Sequence, residues 1–253
     1  MTIRTVLLCL SIAFLAGACN QTPTIPDRGS TNAEQPGGAP SPLSDGDAEA
    51  IALSAVTTVA KAVASVLPVK DLQAIYEAGH PLPACPSLKG EIDAGNILLT
   101  LDYGGGCTPA LYRSATFAGR IEGVALAAYD SFDLALIDTA VDGESMIGSV
   151  GGRFEREGRT TSFRISIDVT LDGTDHLRGN VTADVDDASR TITVREGGTT
   201  TTNRDGALTT LFDAVTLDLS AATGAVIVSG VVEVRSGGAA GASGASVAVV
   251  FGT

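Results

Sequence analysis

The chain has 253 residues, with 29 acidic against 16 basic side chains and a net charge of −13 at neutral pH. An acidic surface repels phosphodiester backbones and anionic lipid, which argues against nucleic acid as a partner and against adhesion to a bilayer by charge. There is no Trp and only 4% aromatic residues, so a stacking platform for sugars or single-stranded nucleic acid is not expected.

Arg4 precedes the apolar run Val6 to Leu15, then come the small residues Ala16, Gly17 and Ala18 and Cys19. A run this short does not span a bilayer as a helix, and residues 1–18 read as a signal peptide. The stretch "LAGAC" resembles the lipobox of bacterial lipoproteins, with Leu15 one place further back than that pattern has it. The resemblance implies diacylation of Cys19, which would become the mature N-terminus and the contact with the lipid bilayer. The same residues also fit an ordinary secretory signal cut after Ala18, leaving Cys19 a spare thiol. The composition of the next segment favours the lipoprotein: residues 19–43 are rich in Thr, Pro, Gly, Ser and Gln. Such a segment buries too little to offset its ordering entropy and reads as a disordered tether. Asn20 after the cysteine, where enterobacterial inner-membrane retention uses Asp, favours the outer membrane.

Residues 44–253 form one domain. Ser44 can cap a helix whose first turn carries Asp45 and Asp47. Leu53, Val56, Ala60, Val63 and Leu67 then recur at helical spacing, and Pro68 ends the run. The pattern predicts a helix over 44–67, with a second short one over 69–78 stopped by Gly79. After residue 95 the apolar period becomes two. Phe163, Ile165, Ile167, Val169 and Leu171 give the clearest strand, and looser runs near 97–103, 115–126, 131–138, 145–155, 180–186, 190–196, 209–220, 225–235 and 246–252 give the rest. Separators such as "VDGE", "LDGTD" and "NRDG" are too short for crossover helices, so neighbours should be antiparallel. The expectation is a mainly β fold: about ten antiparallel strands as a curved sheet, sandwich or open barrel, with the long helix packed on it. Gly119, Gly123, Gly148 and Gly152 would leave room on the strands or permit curvature. The Thr run 199–202 and the Gly/Ala/Ser stretch 237–246 read as hairpin tips.

Few residues carry the grammar of chemistry. His80 and His176 have neither a second histidine nor a cysteine nearby, so no transition-metal ligand set and no cofactor are expected. No G-x-S-x-G elbow supports a hydrolase, and the chain reads as a non-enzyme. Asp172, Asp175, Asp184, Asp186 and Asp187 offer oxygens without EF-hand spacing and read as turn residues. In "LDYGGGC", Gly104 to Gly106 with Thr108 and Pro109 after them could open an anion-binding helix N-terminus, with Arg113 the only cation near. Asp102 and Cys107 are too few to hold a metal. The reading that asks least is a Cys85–Cys107 disulfide, since Cys9 falls in the signal peptide and Cys19 at the lipobox, and export would bring the remaining pair into an oxidising compartment.

Two roles fit such a chain. One is a structural or interaction module with an envelope protein as partner. The other is a carrier or receptor for a hydrophobic ligand such as acyl chains, because a helix laid in a curved sheet resembles, in architecture, the lipoprotein carriers and receptors of the bacterial outer-membrane pathway.

Overall fold

The computed structural model describes residues 43–72, 75, 77, 79, 82–93, 95–109, 115–126, 130–203, 206–220, 226–236 and 246–252. The expected signal peptide 1–18, Cys19, almost all of the expected tether, His80, Arg113 and the stretch 237–245 lie outside the described residues.

The chain builds one long helix, α1 (Asp45–Val66), and then a single eleven-stranded sheet. Its strands are β1 (Ser87–Asp93), β2 (Asn96–Cys107), β3 (Phe117–Leu126), β4 (Ser131–Val141), β5 (Glu144–Glu157), β6 (Thr160–Leu171), β7 (Asp175–Asp186), β8 (Thr191–Asn203), β9 (Gly206–Asp218), β10 (Val226–Ser236) and β11 (Ser246–Phe251). They lie side by side in chain order, and every neighbouring pair is antiparallel. The sheet is an open meander whose edges are β1 and β11.

Alternation decides the faces. Phe163, Ile165, Ile167 and Val169 on β6 and Ile97, Leu99, Leu101 and Tyr103 on β2 are all at most 2% exposed, and they look toward the helix side. Between them stand Arg164, Ser166 and Asp168, or Leu98, Thr100 and Asp102, on the outer face. A Phe154–Phe163 ring pair with centroids 5.6 Å apart and a Tyr103–Phe117 pair at 5.3 Å fill the core further.

Curvature comes from inward-facing glycines. A Cβ on Gly148 would lie 2.1 Å from the carbonyl oxygen of Asp168 on β6, and one on Gly152 would lie 2.2 Å from that of Arg164. On β3, Gly119 and Gly123 meet β4 as closely. Only a residue without a side chain lets neighbouring strands fold toward each other this far on the concave side. The four glycines therefore serve curvature rather than open space.

The helix occupies the concavity. Ser44 Oγ accepts from the Asp47 backbone N–H at 3.2 Å, as expected of a cap. Mean hydropathy over the most apolar window of the helical stretch Asp45–Asp71 is 1.8, enough for a membrane span, but 67% of that window is buried inside the protein. A helix that is apolar all round is one that neighbours enclose. Val56, Ala60, Val63 and Leu67 are buried as expected, whereas Leu53 is only partly buried, and Ala48, Ala52 and Ala55 are buried beside it. Small alanines let the backbone sit close to the sheet. Val56, Val59, Ala60, Ala62, Val63 and Val66 have 0% exposure. A void wide enough for an acyl chain would leave such side chains partly uncovered, so this interface is filled. Tyr103 Oη donates to the Ser65 carbonyl at 3.1 Å, and burial pushes the Tyr103 hydroxyl pKa far up.

Two expectations need correction. β1 is an additional strand, since "SLKGEID" is an edge strand that buries only Leu88 among its seven positions. As expected, the α-helix ends before Pro68, at Val66; Pro68 lies at the start of a 3-10 turn over Leu67–Asp71, in which its missing N–H costs nothing, and Leu72 and Ile75 beyond it are helical. Residues 73, 74, 76 and 78 of the second expected helix lie outside the described residues. Thr199 to Thr202 are not a hairpin tip but part of β8, paired with both β7 and β9. Threonine is β-branched and favours strands, and Thr199 and Thr210 bury their hydroxyls against each other at 2.7 Å.

Candidate functional site

Cys85 and Cys107 form a disulfide, with Cα atoms 6.0 Å apart and a sequence separation of 22. It closes the open end of the β1–β2 hairpin, and both cysteines pack against the margin of the core. The glycine run before Cys107 is strand rather than loop, and the helix expected to start at Thr108 and Pro109 would run through residues 110–114, which lie outside the described residues. The run continues β2 as an irregular edge: Gly104 pairs with Gly119, Cys107 pairs with Phe117, and the register shifts between them. Gly104 has φ 58° and its N–H donates to Asp102 Oδ1 at 2.8 Å. Asp102 is thereby engaged by backbone, not by a metal. Bulged glycines let the strand bend and deliver Cys107 to Cys85.

The acidic turns are equally occupied. Asp172 sits in a β6–β7 turn with φ 45°, and its Oδ1 accepts from Ser145 N–H at 2.8 Å. Asp142, in the β4–β5 turn, accepts in the same way from Thr116 N–H at 2.8 Å. Each carboxylate extends the ladder across the end of a neighbouring strand, which is work that Asp does in turns. Asp184 accepts from Ser162 Oγ at 2.6 Å and lies 3.1 Å from Arg195 Nε. Asp186 accepts from the N–H groups of Ala188 and Ser189, which hold its carboxyl below the usual range. Asp187 turns the other way, to Lys70. Among the described residues no three His, Cys, Asp or Glu come together as a metal site.

His176 is the second residue of β7 rather than part of a turn. Its Nε2 is 2.6 Å from Asp168 Oδ1, and Arg178 Nε is 3.6 Å from Asp168 Oδ2. All three lie on the outer face with their side chains about half exposed or more.

The most developed polar cluster is one that no sequence pattern singled out. Lys70, 8% exposed at the end of the helical segment, donates to Asp71 Oδ1 at 3.0 Å and to Asp187 Oδ2 at 2.8 Å. Arg156 Nη2 donates to the Lys70 carbonyl at 2.6 Å. A buried lysine needs such partners, because an unpaired charge out of water is costly. The cluster ties the helix end to β5 and to the β7–β8 turn. The one signal in the sequence was a lysine inside the apolar run "LPVKDL". Beside it, an open concavity of about 370 Å³ is lined by Asp71, Arg156, Arg159 and Asp187. Both of its carboxylates are already paired with Lys70. Two other concavities, of about 710 and 600 Å³, lie along the strands among Thr100, Glu122 and Ile137, and among Arg153, Ser166 and Asn180.

No protein-family model, curated protein or solved structure matches this chain.

Proposed function

We propose that the chain is a cell-envelope lipoprotein, held in the bilayer by an acylated Cys19, whose β domain is a non-enzymatic structural or interaction module on a tether. The leader and "LAGAC" support the anchor. The observation that carries the module over a carrier is the filled concave face: the side chains of Val59, Ala60, Ala62 and Val63 have 0% exposure against the sheet. An acyl carrier requires an apolar cavity of several hundred Å³ there. The occupied aspartates and the outward His176–Asp168 pair support a surface without a reaction centre.

Growth with a clickable fatty acid should label the wild-type chain and leave Cys19→Ser unlabelled. Equal labelling, or none in either, would remove the anchor. Mass spectrometry of the purified, unacylated chain should find no stoichiometric lipid, and a bound acyl chain would restore the carrier reading.

A further inference from the structure

Strand β1 pairs with β2 on one side, and among the described residues nothing pairs with its other side. A bare edge of this kind is a template for another strand. Its residues Ser87, Lys89, Glu91, Ile92 and Asp93 are exposed. Ile92 is 66% exposed although it shares a face with Leu88, which is only 4% exposed. The disulfide at the base of the hairpin holds this edge in place. The charges of "SLKGEID" are arranged about Gly90, with Lys89 before it and Glu91 after it.

We propose that β1 pairs antiparallel with β1 of a second copy of this chain, about a two-fold axis at Gly90. In that register each Lys89 stands opposite Glu91 of the other copy, and each exposed Ile92 stands opposite Leu88 and is covered. The neighbouring same-face registers centre on Lys89 or on Glu91 and set like charges directly opposite, which is unfavourable. A one-residue slip would set the apolar face of one copy against the polar face of the other. The contact is isologous and therefore closes at a dimer. The opposite edge, β11, touches α1 and carries no charge to select a register. The inference stands apart from acylation, since it needs only the edge.

Sedimentation equilibrium on the purified chain should show a dimer. Lys89→Glu and Glu91→Lys, both at exposed positions, should each weaken it by about tenfold or more, because attraction becomes repulsion at two symmetric places. The double variant Lys89→Glu/Glu91→Lys should dimerise again. A mixture of the two single variants should form a one-to-one heterodimer, which a merely misfolded variant does not do. A monomeric wild type, a dimer indifferent to the single reversals, or a mixture that stays monomeric would overturn the proposal.

Discussion

Ile167 and Asp168 are adjacent on β6 and face opposite sides of the sheet. Ile167 has 0% exposure, and Asp168 meets the exposed His176 and Arg178. Replacing Ile167 with Asp places an unpaired charge in the core and should cost about 4 kcal/mol or more. Asp168→Asn loses surface pairs and should change stability by less than about 1 kcal/mol. Urea denaturation of the two variants checks both; similar midpoints would contradict the assignment of faces. This distinction was legible in the sequence, because period-two alternation says which neighbours share a face. The partner of each aspartate was not. Asp184, Asp186 and Asp187 lie within four positions, yet they serve Arg195, a turn backbone and Lys70 respectively.

Among the elements, the helix and β2 to β11 announce themselves through apolar periodicity, and β1 does not. An edge strand with Lys89, Gly90 and Glu91 at its centre buries too little to leave a pattern, so only its pairing with β2 reveals it. The Thr run misleads for the reverse reason: it looks polar, but threonine's branched Cβ suits a strand, and the Thr199 hydroxyl has a partner in Thr210. Glycine roles divide in the same way. Gly148 has φ 145° and a would-be Cβ 2.1 Å from the Asp168 carbonyl oxygen, whereas Gly46 in α1 has nothing within 4 Å. Gly148→Ala should therefore destabilise by about 3 kcal/mol, through overlap with β6. Gly46→Ala should be neutral or stabilising by up to about 1 kcal/mol, since alanine is the better helix former. Thermal melts of the pair test this, and equal effects would refute the view that glycine sets the curvature.

At the scale of the whole molecule, the disulfide is the covalent tie between the segment after the helix and the sheet. Closing a loop of this length stabilises by about 3 kcal/mol in the chain-entropy model. Cys107→Ala should lower the melting temperature accordingly. Non-reducing peptide mapping should find Cys85 joined to Cys107, and two free thiols in protein purified without reductant would contradict the bond. Its partners could be named from the sequence, since Cys85 and Cys107 are the pair left once Cys9 is read as signal peptide and Cys19 as lipobox. The approximate strand count, the antiparallel order and the presence of a core helix were likewise legible, because they depend on local periodicity and on connections too short to cross over. Whether the sheet would enclose a ligand or its own helix was not legible, because aliphatic alternation looks the same around a cavity and around a filled core. Only the tertiary structure shows how the helix packs: inward glycines draw the strands together, alanines let the helix sit close to the sheet, and Lys70 finds a counter-charge in Asp187, 117 positions further along the chain. These are contacts between distant parts of the chain, and no local pattern encodes the distance that they close.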